Sequence, residues 1–351
     1  LLYDYQDKMK HILTRHEQGA AHAAQGYARV TGKVGVCMVT SGPGATNLTT
    51  GLADAMLDST PIICISGQVV SKLLGTDAFQ ETDVMGFSMP ITKWNIQITR
   101  AEDIPEMMAR AFFIATTGRP GPVMVDITKD AQFAELDFSY KKCEDVRSYV
   151  PRPPLRMGYV EQAAELINNA KKPMALVGQG VILSGAEKEL LAFLEKAQIP
   201  AAWTLLGNSA MPSEHPLNVG MLGMHGNYGP NIKTNECDLL IGLGMRFDDR
   251  VTGDVKTYGK MAKVVHFEID PAEVNKNVHA DVAVIADIKE TFDAITPLIK
   301  EKKREEWLNQ FKIAYQYEYD KVIERDIHPT KEGLTMGEVI RMITERTEGE
   351  A

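Results

Sequence analysis

The sequence has 351 residues, of which 44% are hydrophobic, and its 38 Lys and Arg against 47 Asp and Glu give a formal net charge of −9 at pH 7. This length and apolar content suit two globular domains with real cores. The acidic balance argues against nucleic-acid and anionic-membrane partners, so we expect small-molecule ligands. Four scattered cysteines, no signal-peptide pattern and no long apolar run predict reduced thiols, no zinc site and a cytoplasmic location.

The first and last residues look like cut ends. The chain begins with Leu1 instead of Met, and residues 1–5 predict part of an amphipathic helix. At the other end, apolar residues at helical spacing over 336–345 predict a helix whose apolar face has no partner in the sequence. We therefore expect a fragment of a longer protein.

Glu17 is the first candidate functional residue, because small residues follow it at positions 19, 20, 21, 23, 24 and 26. Another surface can approach a helix of such small side chains closely and keep water away from the carboxylate. A glutamate in a dry site has a raised pKa and can hold a proton for a partner. The alternative is an ordinary, partly exposed helix N-terminus with an acidic first turn.

Nearly all-apolar runs alternate with helical patterns, as in strands buried on both faces of a parallel sheet. These runs are 34–40, 62–66, 123–127, 174–177, 239–243 and 264–269. The predicted fold class is therefore α/β, with two doubly wound parallel-sheet domains. The charged, then proline-rich stretch before residue 154 marks a linker. The predicted boundaries are 1–135 for the first domain, 136–154 for the linker, 155–300 for the second domain, and 301–351 for a charged helix, a connector and the start of a further domain.

Six short motifs occur along the chain. They are TRHEQGA (14–20), SGPGATN (41–47), GTDAFQETD (75–83), GRPGPV (118–123), MLGMHG (221–226) and RFDDRVTG (246–253). In this order they resemble the thiamine-diphosphate-dependent enzymes, and within them the FAD-containing acetohydroxyacid (acetolactate) synthase large subunits. The resemblance covers nearly the whole chain, and several motifs in order are far more specific than one glycine-rich loop. It implies a pyrimidine-binding first domain and a FAD-binding second domain, while the diphosphate and Mg²⁺ ligands belong to a third domain whose motif is absent here.

The resemblance gives roles to three residues around the glycine turn. It implies that Glu17 is catalytic and hydrogen-bonds N1′ of the cofactor's aminopyrimidine, a role that needs a reversible proton. Pro43, between two glycines, brings backbone against the pyrimidine ring, and Asn47 orders the following helix start. The alternative is that both segments are ordinary strand-to-helix connections.

Three further residues are implied to lie near the active site or the substrate. Phe79 and Gln80 reach the active site of the neighbouring subunit in the family, and Lys129 borders the substrate channel. The structural alternatives are a core phenylalanine beside a surface glutamine, and a plain surface lysine.

The second domain offers residues for FAD. Gly178-Gln179-Gly180 follows a strand and permits close approach to a phosphate. Arg246 and Arg250 can pair with a pyrophosphate, Glu268 can accept ribose hydroxyls, and Asp287 is placed for the adenine end. The resemblance adds Arg119, Thr204, Leu205, Leu222, Gly223, Met224, His225, Gly244, Asp248, Val251 and Ile269. The alternatives are arginines paired with neighbouring acids on a solvated helix, and a packed His225.

The resemblance also implies a reaction and an assembly. Complete family members decarboxylate pyruvate and join the two-carbon unit to a second pyruvate or to 2-oxobutyrate, in branched-chain amino acid biosynthesis. They form homodimers with active sites at the interface and take a small regulatory subunit, and their FAD has no net redox part. The alternatives are another thiamine-diphosphate-dependent carboligase, decarboxylase or oxidase, or, for this chain alone, a non-catalytic FAD-binding module. Glu17 counts against glyoxylate carboligase, whose pattern has an aliphatic residue there. We expect the chain by itself to be inactive.

Overall fold

The computed structural model describes residues 3–330 and 333–350. It divides into two compact units, Leu1–Pro151 and Arg152–Ala351. The division falls inside the stretch 136–154. Within this stretch an isolated β-bridge pairs Val146 with Tyr149.

In the first unit, strands and helices alternate along the chain. They are α1 (Glu17–Thr31), β1 (Gly35–Val39), α2 (Pro43–Thr46), α3 (Thr49–Leu57), β2 (Ile62–Gln68), α4 (Val84–Ser88), β3 (Trp94–Ile98), α5 (Ile104–Thr116), β4 (Val123–Thr128) and α6 (Lys129–Phe133). The strands form a parallel sheet in the order β1-β2-β4-β3.

Both faces of this sheet are buried. Ile62 and Cys64 pack into one apolar layer, whereas Ile63 between them packs into the other. Because side chains alternate along a strand, a strand covered on both faces must be apolar throughout. The predicted strands at 34–40, 62–66 and 123–127 are accordingly confirmed as β1, β2 and β4. Strand β3 was not predicted, because it lies at the sheet edge and mixes Asn95 and Gln97 with apolar residues.

The second unit repeats the plan with a larger sheet. Its elements are α7 (Met157–Asn169), β5 (Pro173–Val177), α8 (Gln179–Leu183), α9 (Glu187–Ala197), β6 (Ala201–Trp203), β7 (Asn218–Met221), α10 (Tyr228–Lys233), β8 (Leu239–Leu243), α11 (Asp249–Thr252), β9 (Lys263–Glu268), β10 (Val282–Ile285), α12 (Ile288–Ile295), α13 (Glu305–Glu318), α14 (Glu324–Ile327) and α15 (Met336–Arg346). The sheet is parallel, in the order β10-β9-β8-β5-β6-β7. The predicted α/β class, with two doubly wound parallel sheets, is confirmed.

Strand order places a switch point between β5 and β8. From β5 the chain winds outward through β6 and β7, and it then returns to the other side of β5 to build β8, β9 and β10. In open parallel sheets, ligands bind outside the carboxyl ends of the strands at such a point. The predicted strands at 174–177, 239–243 and 264–269 are confirmed as β5, β8 and β9.

The chain ends differ in how well they were predicted. The helix predicted over 336–345 is confirmed as α15, and its apolar residues Met336 and Ile340 are exposed. The amphipathic helix predicted at residues 1–5 is wrong for the part that is described, which is a single 3-10 turn at Tyr3–Tyr5. Leu1 and Leu2 lie outside the described residues. No helix within 3–330 and 333–350 is both long and apolar enough to cross a lipid bilayer.

Candidate functional site

Glu17 is the first residue of α1. His16 caps the helix by accepting a hydrogen bond from the Gln18 amide at its Nδ1, at 3.1 Å. The Glu17 side chain is partly exposed, and Asn47 Nδ2 donates to its Oε2 at 3.0 Å. This bond lowers the pKa of Glu17 below its ordinary value. The expected raised pKa is therefore wrong for the described chain, because an amide donor faces the carboxylate and its burial is slight.

The glycine turn after β1 is in contact with a second predicted loop. Gly42 has a φ of +57°, and a Cβ there would lie 2.6 Å from the carbonyl oxygen of Gln80. Glycine is thus required both by the left-handed backbone and by the close approach. Pro43 follows as the first residue of α2, and Asn47 is the C-cap residue just after the end of that helix. The structure thereby brings Glu17, the glycine turn and Gln80 together.

The loop that carries Phe79 and Gln80 is wrapped around one carboxylate. Glu81 accepts hydrogen bonds from the backbone amides of Gly75, of Thr76 at 3.3 Å and of Ala78 at 3.1 Å. Phe79 is 89% exposed, so the alternative of a core phenylalanine is wrong. The loop presents this aromatic ring to the solvent.

A buried carboxylate lies beside this loop, and the sequence analysis missed it. Asp126 in β4 is fully buried and accepts from Ser66 Oγ at 2.6 Å, Gln97 Nε2 at 2.9 Å and Gln68 Nε2 at 3.1 Å. Its burial raises the pKa of Asp126. Gln68 also donates to the carbonyl oxygen of Thr82 at 2.9 Å, which ties the network to the end of the Phe79 loop. The available signal was an acid within an otherwise apolar strand.

Two other predicted residues of the first unit are placed less specifically. Lys129 is exposed at the start of α6, with its Nζ 5.9 Å from the ring centroid of Phe133. Arg119 is half-buried, and its Nε donates to Ser59 Oγ at 2.9 Å.

In the second unit, glycines meet at the switch point of the sheet. Gly178 follows β5 and Gly244 follows β8, and a Cβ on Gly178 would lie 2.3 Å from the Gly244 carbonyl oxygen. The Gly180 amide donates to that same oxygen at 2.9 Å. Only glycines allow the two chain segments to pass so closely, and they do so at the switch point where doubly wound folds bind dinucleotides.

Acidic residues end the next two strands of the sheet. Glu268 closes β9, and its Oε1 accepts from the amides of Ile269 at 2.9 Å and Asp270 at 3.1 Å. Asp287 follows β10 and caps α12 by accepting from the Lys289 amide at 2.9 Å. Both carboxylates are anchored by backbone amides at the carboxyl edge of the sheet, where the adenosine part of a dinucleotide binds in doubly wound folds.

Arg250 lies against the glycine-rich segment near residue 223, and both arginines have an acidic neighbour. The Met224 amide donates to the carbonyl oxygen of Arg250 at 2.8 Å, and Arg250 Nη1 lies 3.6 Å from Met224 Sδ. Arg246 Nη2 lies 3.7 Å from Asp248 Oδ2, and Arg250 Nε lies 3.8 Å from Asp249 Oδ2. Both distances are longer than a hydrogen bond, so each acid is a nearby opposite charge and not a bidentate partner of the guanidinium group.

The other residues predicted for FAD have mixed placements. Leu222 is buried in the core, so any contact that it makes with a ligand goes through its backbone, while Met224 and His225 are exposed. A packed His225 is therefore wrong. Thr204 follows β6 and accepts the Gly207 amide at its Oγ1, at 3.1 Å. Gln179, Val251 and Ile269 are half-buried, and Leu205 is exposed.

No group of three His, Cys, Asp or Glu side chains suited to a metal ion occurs within residues 3–330 and 333–350. The candidate sites are made of hydrogen-bonding side chains, close-packed glycines and arginines.

Comparison with known proteins identifies the family. Residues 2–87 match the model of the thiamine pyrophosphate enzyme N-terminal TPP binding domain, and residues 160–295 match that of the thiamine pyrophosphate enzyme central domain. Thiamine pyrophosphate and thiamine diphosphate are two names for the same compound.

Curated relatives are similar over most of the chain. The chain is 49% identical over 312 residues to the probable acetolactate synthase large subunit of Methanocaldococcus jannaschii, and this match covers 87% of the chain and 53% of the relative. It is 50% identical over 310 residues to the acetolactate synthase large subunit of Corynebacterium glutamicum, covering 87% and 50%. It is 46% identical over 321 residues to the acetolactate synthase isozyme 2 large subunit of Escherichia coli, covering 91% and 58%. The chain thus spans about half the length of the curated relatives it matches. It belongs to the thiamine pyrophosphate enzymes and carries their N-terminal and central domains.

Proposed function

We propose that the chain is part of the catalytic large subunit of a FAD-containing acetolactate synthase. The reaction joins two pyruvates to 2-acetolactate, or pyruvate and 2-oxobutyrate to 2-aceto-2-hydroxybutyrate, with release of CO₂. The observation that carries the proposal is the contact of three separate motifs, in which Asn47 holds Glu17 and Gly42 packs on Gln80. The names of relatives about half identical in sequence support the same reaction.

The first unit would hold the pyrimidine end of thiamine pyrophosphate. When bound, this cofactor supplies the nucleophile and the electron sink of the reaction. Glu17 would hold the proton shared with a ring nitrogen, and Asn47 would keep its carboxylate in one orientation. Pro43 would place backbone against the ring. Glutamine at position 17 would keep a hydrogen bond but lose the exchangeable proton.

The second unit would hold FAD at the switch point of its sheet. The glycines after β5 and β8 pack closely at this point, and Arg246 and Arg250 would supply positive charge to the pyrophosphate. Glu268 would accept ribose hydroxyls. In this proposal FAD has no net redox part, so the reaction is a transfer and not an oxidation.

The proposed assembly is a homodimer that takes a small regulatory subunit and resides in the cytoplasm. A second copy laid over α1 near Glu17 would exclude water and raise the pKa of that carboxylate. Phe79, exposed at its loop tip, would extend into the neighbouring subunit, and Lys129 would border the substrate channel. The free thiols of Cys37, Cys64 and Cys237 fit a reducing compartment.

The reaction is tested with a chimera, because the chain spans only part of its relatives. This chain replaces the matching 321 residues of the Escherichia coli isozyme 2 large subunit, and acetolactate is measured from pyruvate, thiamine pyrophosphate, Mg²⁺ and FAD by the colorimetric acetoin assay. We expect turnover in the chimera, a loss of about 10²-fold or more in its Glu17→Gln variant, and none from the isolated chain.

The control is Gln18→Glu, which adds an acid at the neighbouring position outside the Asn47 contact. It should leave turnover within a few-fold. A folded chimera that makes no acetolactate, or one equally active with Glu17→Gln, would contradict the proposed function.

A further inference from the structure

Helix α10 presents an asparagine that pairs with both backbone groups of Gly223. The Gly223 amide donates to Asn231 Oδ1 at 2.8 Å, and Asn231 Nδ2 donates back to the Gly223 carbonyl oxygen at 2.9 Å. This pairing uses one donor and one acceptor of the side chain, as a neighbouring strand would. Gly223 therefore has both polar groups satisfied although it lies outside any strand.

A second asparagine acts on the same segment from one helical turn away. Asn227 Oδ1 accepts the Met221 amide at 3.0 Å, and the Asn227 amide donates to the Met221 carbonyl oxygen at 2.8 Å. Asn227 Nδ2 in turn donates to Glu318 Oε2 at 3.3 Å, near the end of α13. Asn227 is the N-cap residue of α10 and lies four residues before Asn231. We call Asn227 and Asn231 the amide clamp.

Gly223 needs this support because of its conformation. Its φ is +100°, and a Cβ would lie 2.5 Å from the carbonyl oxygen of Arg250. On one side, the next amide, that of Met224, donates to this carbonyl oxygen at 2.8 Å. On the other side, Asn231 holds Gly223 itself. Residues 223 and 224 are thus held by the backbone of Arg250 on one side and by the side chain of Asn231 on the other.

We propose that Asn231, supported by Asn227, is a positioning residue for dinucleotide binding, which fixes residues 222–225 against the arginine segment 246–250. This rests on the proposed FAD site. Neither asparagine is proposed to touch the ligand. Without Asn231, Gly223 exchanges its two protein partners for water, and residues 222–225 sample other conformations. Ligand binding is then weaker by the free energy needed to order these residues again.

The test is a fluorescence titration of the full chain with FAD. We expect saturable quenching with the unaltered chain, loss of binding with Arg250→Ala, and a dissociation constant raised about tenfold by Asn231→Ala, the effect of about one hydrogen bond. Asn231→Asp keeps the acceptor for the Gly223 amide but loses the donor, so it should also weaken binding. It serves as the second variant should Asn231→Ala fail to fold.

The matched control is Asn235→Ala. Asn235 Oδ1 likewise accepts one loop amide, that of Gly259 at 3.1 Å, but away from residues 222–225. We expect unchanged FAD affinity in this control. Hydrogen exchange should show faster exchange at Gly223 in Asn231→Ala and not in Asn235→Ala.

The outcomes separate the two proposals. Failure of the unaltered chain to bind FAD overturns the flavin site and this inference with it. Binding that is equal in the unaltered chain and Asn231→Ala, or weakened equally by Asn235→Ala, overturns the positioning role alone.

Discussion

Replacing the buried Asp126 with alanine should destabilise the first unit. Asp126 is fully buried in the sheet, and three side chains donate to it, from Ser66 at 2.6 Å, Gln97 at 2.9 Å and Gln68 at 3.1 Å. Asp126→Ala leaves these donors facing a small cavity. A buried donor without a partner costs about 1–3 kcal/mol. The Ser66 hydroxyl can turn and Gln68 keeps the Thr82 carbonyl, so we expect a total loss of about 2–4 kcal/mol.

The contribution of Asp126 to folding stability depends on pH with the opposite sign to that of an ion-paired carboxylate. Burial raises the pKa of Asp126 in the folded chain above its ordinary value of 3.8. The folded state therefore binds the proton more tightly than the unfolded state, and this contribution is fully present below the unfolded pKa. It is lost as pH rises through the folded pKa. The nearly isosteric Asp126→Asn carries no such titration, so raising the pH should lower the stability of the parent chain relative to Asp126→Asn.

Hydrogen exchange resolved by mass spectrometry measures the loss of stability in each unit separately. Peptides from β2 and β4 should exchange faster in Asp126→Ala, whereas peptides from β8 serve as an internal reference. The control is Asp103→Ala, an acid whose carboxylate lies 3.8 Å from Arg100 Nε at the surface, and it should change stability by less than about 0.5 kcal/mol. A loss below about 1 kcal/mol in Asp126→Ala would refute the reasoning.

Two further substitutions test close packing and helix capping. Gly42→Ala, whose Cβ would lie 2.6 Å from the Gln80 carbonyl oxygen, should displace the Phe79 loop and speed its proteolysis, whereas Gly19→Ala, with nothing within 4 Å, should not. Arg304→Met removes a buried guanidinium that donates to the last carbonyls of α7 and α9. It should lower the unfolding free energy of the second unit by about 2–4 kcal/mol in urea denaturation, while a loss no larger than that of the exposed-site control Arg152→Met would disprove the capping role.

Apolar patterning predicted the sheets well where burial alone decides the residue type. Strands β5 and β8 are buried at every position, so each had to be an unbroken apolar run. Strand β3 is an edge strand, where Asn95 and Gln97 are tolerated because they find partners in Met85, Ser88 and Asp126. Those partners are distant in sequence. A local pattern therefore carries no sign of them.

The candidate sites show the same limit. The motifs around Glu17 and Gly42 were recognisable, but the contact between Gly42 and Gln80 depends on two left-handed residues from separate loops. The amide clamp on Gly223 similarly depends on how α10 is laid against the segment after β7. Side-chain identity predicts which chemistry is available. The approach of one loop to another is a tertiary property, and it decides which of those groups meet.

Glu17 shows why the environment matters more than the motif. The resemblance assigns this carboxylate a proton near neutral pH, yet Asn47 donates to it and lowers its pKa in the described chain. The amide favours the charged form, whereas removal of water favours the protonated form. On α1, Ala21 and Ala24 are buried in the unit's own core, whereas Gly19 and Gly26 are open to space and leave room for a covering surface to approach closely. In the proposed dimer, a carboxylate that is ionised when uncovered and protonated when covered would confine its proton chemistry to the assembled state, in which the proposed cofactor ring would share the proton.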